Sequence, residues 1–388
     1  LEEMLLLAAQ TNSPEKLASV YRSQTDYFIA TGEYDRARRS AERALGFYTQ
    51  AGDSDGQAFC HRTLGIIEYR TRPGETVLTH YRAAQRLYAD TGATVDEGNI
   101  LVDIGLVYYS ILEQPEQALA CFEQARTLFE RIDDPRGLTR VYGNMGLQYY
   151  ALGKYEDALR HHQRANALAK SSGDRRLIAI SCGSMGQCEI ALCSYSPALL
   201  HLREELHIAR ELGDRYIIGK CHQNLGTLYL TLGAYDAAIE ALTEANRVAV
   251  ESDDPIGQAS AANDLAMCHI ERREFDLAQR QIDRAAQLVS EVHDTNVTAM
   301  LLYRHGLLLL ARGGTGDAEK ALELFGRYGD LADAQGFESH SIIARSYAAV
   351  AQTRLGRASA ALELSEEAMQ LLAAHGELEG GSRDMYLN

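Results

Sequence analysis

The sequence predicts an all-α fold built from about nine antiparallel helix pairs, one for roughly every 40 residues. Three periodic features predict it. A Gly-x-aromatic-x-x-Ala motif recurs along the chain, a small residue stands twelve positions before the alanine of the motif, and a turn follows about fifteen positions after it. Because one helix hairpin cannot bury its own apolar face, hairpins at a fixed period are expected to stack as a solenoid.

The alanine of the motif marks the second helix of each pair. The clearest copies are residues 32–37, 153–158 and 233–238, and weaker copies carry Cys193 or Arg273 where these have glycine. A small side chain here, with another on the first helix, lets the two helices approach closely. In chain order the position holds Ala37, Val77, Ala118, Ala158, Ala198, Ala238, Ala278, Ala321 and Ala361.

The first helix of each pair is located by the small residue and by the turn before it. The small residues are Gly65, Gly146, Gly186, Gly226, Ala266 and Ala349, with Gly105 and Gly306 displaced by short insertions. Turns such as Gly52-Asp53 and Gly213-Asp214 separate the pairs. In 253–255, Asp254 is expected to cap the next helix and Pro255 to occupy its first position.

The periodicity also predicts which part of a repeat each end of the chain belongs to. Residues 1–12 match the end of a preceding repeat, residues 13–376 hold nine repeats, and residues 377–388 match the start of a further first helix. Natural arrays end in polar capping helices, and neither end has that character. We therefore expect a single continuous solenoid that is a fragment of a longer protein, with covalently attached domains outside it.

The composition limits the classes of partner. The chain has 388 residues and a formal net charge of −16, which disfavours direct binding to nucleic acid or to an anionic membrane. Its seven cysteines form no C-x-x-C pair, which is typical of a reducing cytoplasm. No run of 18 apolar residues is present, so no membrane partner is expected.

The repeat resembles the long, roughly 40-residue subclass of the tetratricopeptide repeat. The segments 144–149 (Asn-Met-Gly-Leu-Gln-Tyr) and 224–229 (Asn-Leu-Gly-Thr-Leu-Tyr) carry this resemblance. The subclass includes LGN/Pins-type scaffolds and the sensor arrays of MalT-type bacterial signalling ATPases. The resemblance implies a right-handed superhelix whose first helices line a concave groove, and a protein or peptide ligand in that groove.

The same resemblance assigns groove positions. Regularly spaced amide side chains both donate and accept hydrogen bonds, which suits them to hold a peptide backbone. A solvated polar face, or asparagines kept for helix packing, remains the alternative interpretation. Tyr69, Tyr109 and Tyr150 share one repeat position and are expected to form an aromatic ladder. The predicted groove residues are Asn99, Asp103, Tyr109, Arg140, Asn144, Tyr150, Gln187, Lys220, Gln223, Asn224, Thr227, Asn263 and Asp264.

No catalytic, metal or cofactor site is expected. Residues 313–316 are rich in glycine but lack the Gly-Lys-Ser/Thr ending of a phosphate-binding loop. His80, His161 and His201 share one repeat position, which indicates a packing role, and no histidine or cysteine has zinc-type spacing. The positions that match the Lys/Asn/Lys/Arg set of chaperone-binding tetratricopeptide domains do not reproduce that set. LGN-like arrays bind acidic peptides through many inward arginines, whereas the inward basic residues here are few: Arg22, Arg62, Arg140, Lys220 and Arg304.

The predicted function is therefore recognition of a protein or peptide through the groove, without catalysis. The expected context is the cytoplasmic sensor or scaffold segment of a bacterial regulatory protein. The alternative is a scaffold that self-associates into a homo-oligomer by stacking its open ends.

Overall fold

The computed structural model describes residues 13–112, 114–292 and 294–374, and these residues form eighteen α-helices. The chain divides into two compact units, unit 1 up to Gln148 and unit 2 from Tyr149. The predicted terminal segments 1–12 and 377–388 lie outside the described residues. No helix in the described part of the chain is both long and apolar enough to cross a bilayer.

Unit 1 contains three helix pairs and most of a seventh helix. Its helices are α1 (Pro14–Ala30), α2 (Tyr34–Ala51), α3 (Ser54–Thr71), α4 (Thr76–Thr91), α5 (Thr94–Ser110), α6 (Pro115–Arg131) and α7 (Pro135–Ala151), of which α7 ends in unit 2. Each odd-numbered helix up to α5 packs against the helix that follows it, and the pairs pack on their neighbours. This order of contacts is the one that the repeat predicts.

Unit 2 continues the same pattern. Its helices are α8 (Tyr155–Ser172), α9 (Arg175–Ala191), α10 (Tyr195–Leu212), α11 (Arg215–Thr231), α12 (Tyr235–Glu251), α13 (Pro255–Glu271), α14 (Phe275–Val292), α15 (Thr295–Arg312), α16 (Asp317–Ala334), α17 (Glu338–Arg354) and α18 (Ala358–Ala374). The first helices of successive pairs also contact one another directly, as α9 does with α11 and α13 with α15. The all-α repeat fold predicted from the sequence is confirmed.

The predicted turns set the helix ends. Gly213 ends α10 in the left-handed region at φ 66°, and the next residue, Asp214, accepts a hydrogen bond from the backbone N–H of Ile217. Asp254 accepts in the same way from Gly257, with Pro255 at the start of α13. Each turn therefore satisfies backbone groups at the end of one helix and at the start of the next.

The small residues on the first helices work differently from the prediction. Gly65 accommodates an aromatic ring of the second helix rather than its backbone, because a Cβ added there would lie 2.3 Å from the Tyr81 ring. Gly306 accommodates Phe325 in the same way, with 2.6 Å to the ring. The residue that fills the space stands four positions after the motif alanine. The small residue on the first helix thus leaves the space that a large side chain of the second helix fills.

Candidate binding site

Polar side chains of the first helices in unit 1 bind one another across successive helix pairs. Asp103 on α5 accepts a hydrogen bond from Nε of Arg62 on α3 at 2.9 Å, and from Nη2 of Arg140 on α7 at 3.1 Å. Arg140 also donates to Oδ1 and to the backbone oxygen of Asn99, both at 3.0 Å. We call the surface that carries these bonds, here and in unit 2, the first-helix face. One carboxylate and two guanidinium groups join three helices on it.

Unit 2 has an equivalent centre at Asp264 on α13. This carboxylate accepts from Nε2 of Gln223 at 2.7 Å and from Oγ1 of Thr227 at 3.2 Å, both on α11. Nη2 of Arg304 on α15 lies 3.4 Å from its other oxygen. Asp264 therefore joins α11, α13 and α15 as Asp103 joins α3, α5 and α7.

The bonds on the first-helix face repeat with the period of the chain. Gln187 donates to Asn224 at 2.9 Å, and both this bond and the bond from Thr227 to Asp264 join residues 37 positions apart. The bonds of Asp103 with Arg62 and of Asp264 with Gln223 both join residues 41 positions apart. Most of the predicted groove residues thus connect one repeat to the next in this structure.

Burial corrects the prediction for two asparagines. Asn263 is 2 % exposed, and its amide nitrogen donates to the backbone oxygen of Val297 at 3.4 Å. Asn224 is 6 % exposed and accepts from Gln187. The neighbouring first helix covers both, so these amides are not open to a ligand. Lys220 is exposed and makes no ion pair within the described residues, and Asn144 is half-buried without a side-chain hydrogen bond there.

The tyrosines predicted to form a ladder have separate surroundings. The Tyr69 hydroxyl lies 2.9 Å from Oγ of Ser110 and its ring is partly exposed. Tyr109 is half-buried, and burial raises its pKa. Tyr150 packs edge-on against Tyr155, with ring centroids 5.2 Å apart. Because Tyr69 and Tyr109 belong to unit 1 and Tyr150 to unit 2, the ladder stays a prediction.

A cleft of about 660 Å³ opens on the first-helix face of unit 1. Ile66 and Leu106 give it apolar walls from α3 and α5, and Asp103 lies in the same wall as Leu106. Nη1 of Arg70 donates to the Tyr34 hydroxyl at 3.4 Å at its rim. Its lining residues are Tyr34, Ile66, Tyr69, Arg70, Tyr81, Asp103 and Leu106.

Tyr81 is the polar group that the cleft leaves without a protein partner. The residue is only 4 % exposed, yet it lines the cleft, and its hydroxyl makes no hydrogen bond within the described part of the chain. Burial, with the nearby charge of Asp103, raises the pKa of Tyr81, so the phenol stays neutral. Gly65 holds the ring in place by leaving room for it. A neutral hydroxyl of this kind both donates and accepts, so it can pair with a group that enters the cleft.

The prediction missed Tyr81 because it occupies a core position of the repeat. Four residues after the motif alanine, the other repeats carry Ala41, Phe122, His162, Leu202, Leu242, Ile282, Phe325 and Ser365. A tyrosine at this position, where none of the other repeats has one, was the feature of the sequence that could have indicated Tyr81. Of the cleft residues, the sequence had indicated Asp103 as a ligand contact and Tyr69 as part of the ladder.

Histidines and cysteines contact other side chains within the helix array. Nδ1 of His80 lies 3.1 Å from Nδ1 of His61, and Nδ1 of His201 lies 2.8 Å from a Glu189 oxygen. Cys60, Cys182, Cys188, Cys221 and Cys268 are buried as free thiols. Among the described residues, no three His, Cys, Asp or Glu side chains are placed to hold a metal ion.

Comparison with known proteins agrees with this fold. Two tetratricopeptide repeat family models match residues 137–211 and 219–249. No curated protein matches the chain in sequence. A Rap protein complexed with competence and sporulation factor is 16 % identical, with a TM-score of 0.65 over 92 % of this chain and 98 % of that one.

Two further solved structures are similar over most of this chain. The Rap conjugation gene regulator of plasmid pLS20, in complex with the Phr* peptide, is 13 % identical, with a TM-score of 0.57 over 93 % of this chain and 98 % of that one. A signal transduction ATPase with a tetratricopeptide repeat sensor from Pyrococcus horikoshii is 16 % identical, with a TM-score of 0.54 over 94 % of this chain and 55 % of that one. At these identities the likeness concerns the fold. The chain therefore has the fold of a tetratricopeptide repeat array.

Proposed function

We propose that this chain is a non-catalytic array that binds a peptide segment on its first-helix face, and that the unit 1 cleft holds one side chain of that peptide. The array then acts as the cytoplasmic sensor or scaffold part of a bacterial regulatory protein. The observation that carries the proposal is the cleft itself, with the unpaired Tyr81 hydroxyl inside it.

The lining of the cleft favours an apolar or aromatic side chain of the peptide, with a backbone group of the peptide close enough to form a hydrogen bond. Ile66 and Leu106 offer apolar contact, and burying such a side chain contributes about 1.5–3 kcal/mol. The Tyr81 hydroxyl is suited to a carbonyl or N–H group of the same peptide. The bonds of Asp103 with Arg62 and Arg140 hold the walls in place before the ligand arrives, which lowers the ordering cost of binding.

The similar structures support a peptide as the class of ligand. Two of the three are Rap proteins described in complex with competence and sporulation factor and with the Phr* peptide. The third carries its tetratricopeptide repeats as the sensor of a signalling ATPase. Asn144 in unit 1 and Lys220 in unit 2 offer further polar groups that no side chain of the described residues pairs with.

The test is selection of linear peptides on the intact chain, followed by calorimetry with substituted proteins. Leu106→Arg places a charged chain in the cleft and is expected to weaken a selected peptide by more than about tenfold, since an apolar contact is replaced by a buried charge. Tyr81→Phe removes one hydroxyl and is expected to weaken it about 3- to 10-fold, the worth of one neutral hydrogen bond.

The matched control is Leu200→Arg, which makes the same change at a leucine that is 67 % exposed on the second helix α10. This variant is expected to bind as the parent does. Peptides that bind Leu106→Arg and the parent with equal affinity would rule the cleft out as the site, whatever the array binds elsewhere.

A further inference from the structure

Glu205 occupies a position that is otherwise apolar in the repeat. Seven residues after the motif alanine, seven of the other repeats have a buried alanine and one has Tyr328. Glu205 on α10 is itself 3 % exposed. The alanines are Ala44, Ala84, Ala125, Ala165, Ala245, Ala285 and Ala368. The fold thus places a carboxyl group where it normally places a methyl group.

Gly183 on α9 makes the room for this carboxyl group. A Cβ added at Gly183 would lie 2.3 Å from Oε1 and 2.8 Å from Oε2 of Glu205. Oε2 is buried and has no hydrogen-bond partner within the described residues. On the other side lies Cys221 of α11, whose thiol donates to the backbone oxygen of Leu202 at 3.0 Å. Three helices therefore enclose a carboxyl group that they satisfy only in part.

Few charged groups face Glu205. From α9 it meets the Cys182 thiol, and from α11 it meets the Cys221 thiol and the more distant ammonium group of Lys220. On α10, the helix of Glu205, the neighbouring Glu204 forms an ion pair with Lys170 of α8 at 3.2 Å. Arg210, also on α10, interacts electrostatically with the Cys221 thiol. Burial raises the pKa of both thiols, so they stay neutral. The Cys221 thiol offers Glu205 a hydrogen bond, and no cation of the described residues forms an ion pair with it.

We propose that Glu205 is a proton-operated latch at the junction of α9, α10 and α11. The neutral acid keeps the junction closed, and loss of its proton opens it, because an unpaired carboxylate is far more costly to bury than a carboxylic acid. The same junction carries the bond from Gln187 on α9 to Asn224 on α11. Opening it therefore releases one of the polar connections of the first-helix face.

The direction of the pH effect follows from the difference between closed and open states. Burial raises the pKa of Glu205 from 4.5 to about 8 in the closed state, and the ordinary value applies once the group is in water. The stabilisation by the neutral acid is complete below pH 4.5 and is lost as pH rises from there to about 8. Within that window the ratio of open to closed junction grows about tenfold for each pH unit.

The test is amide hydrogen exchange of the full chain from pH 5 to pH 9, with Glu205→Gln as the variant that cannot ionise. At each pH the exchange rate of peptides from α9, α10 and α11 is divided by that of the variant. The ratio is expected to rise about tenfold per pH unit up to about pH 8 and then to level off. Peptides from α1 to α3 should keep a constant ratio.

Glu204→Gln, the same change one residue away at the partly exposed partner of Lys170, is the matched control and should leave the pH dependence of α9–α11 unchanged. A ratio for Glu205→Gln that does not change with pH would overturn the latch. The geometry has its own test. Gly183→Ala should destabilise the parent but stabilise Glu205→Ala, whose smaller side chain leaves room for the new methyl group. The same sign in both backgrounds would contradict the proposed contact.

Discussion

Phe129 shows how single residues determine the packing between neighbouring helix pairs. Its fully buried ring lies between Gly98 of α5 and Gly137 of α7, and a Cβ added at these glycines would stand 2.6 Å and 2.4 Å from ring atoms. Both glycines are needed because close-packed interiors have no room for an added methyl group. Gly143 on the same helix α7 has nothing within 4 Å of an added Cβ.

These two glycines of α7 give opposite predictions for one substitution. Gly137→Ala should lower the free energy of unfolding by about 1–3 kcal/mol, because the methyl group forces the Phe129 ring to move. Gly143→Ala should raise it by up to about 1 kcal/mol, because alanine favours the helix and meets no obstacle. Urea denaturation of the full chain measures both. A loss of similar size at the two positions would show that the ring contact is not the cause.

The residues that the sequence failed to reveal are those that break the repeat in the core. Tyr81 and Glu205 stand at positions that are buried in most repeats, and periodicity alone does not show that a core residue also faces a cleft or an uncompensated pocket. By contrast, recurrence at one repeat position predicted a packing role for His201, and in the structure its ring contacts Glu189 of the preceding helix. Comparison of one repeat position along the chain would have found both exceptions.

At the scale of the helix, several C-terminal ends follow one hydrogen-bonding scheme whether or not glycine is present. The N–H of Gly233 donates to the oxygen of Leu230, and the next N–H donates to Tyr229. Cys193 and Arg273 make the same pair of bonds after α9 and α13, at φ 55° and 60°. The sequence identified both as weaker copies of the glycine motif. The structure shows that they keep the left-handed conformation that glycine adopts without strain.

Glycine at these two turns is therefore expected to stabilise the chain. Cys193→Gly and Arg273→Gly should each raise the free energy of unfolding by about 1 kcal/mol. A non-glycine residue in the left-handed conformation costs about 1–2 kcal/mol, and glycine removes this strain. Part of the gain is lost because glycine has more conformational freedom in the unfolded chain. Thermal denaturation measures the change. Gly153→Ala, at φ 74°, is the reverse control and should lower the stability. A stabilising Gly153→Ala would contradict the explanation.

At the scale of the whole molecule, the same polar bonds recur from repeat to repeat in both units. The resemblance of the repeat assigned Asp103, Arg140, Gln223 and Asp264 to the groove. In the structure they form hydrogen bonds between successive first helices, and their contact with a ligand stays a prediction. The phase does not specify how deeply the next first helix covers each of them. That is why Asn263 was expected at the surface and lies buried instead.

Because most of the predicted groove residues bond to one another, we expect the ligand contacts in the unit 1 cleft rather than along the polar row. A row of free amides would hold a peptide by many equivalent bonds, whereas most of these amides and carboxylates are engaged with one another. Within the unit 1 cleft, the Tyr81 hydroxyl has no hydrogen-bond partner among the described residues. Affinity should therefore depend on one cleft with apolar walls rather than on the whole polar row, in the way that few residues dominate many interfaces.

The most direct test of this account is hydrogen exchange of the full chain with and without a selected peptide. The peptide is expected to slow exchange in α3 and α5, whose residues line the cleft, and to leave exchange in the second helix α10 unchanged. Slower exchange confined to second helices, or protection of α3 and α5 that persists in Leu106→Arg, would contradict it.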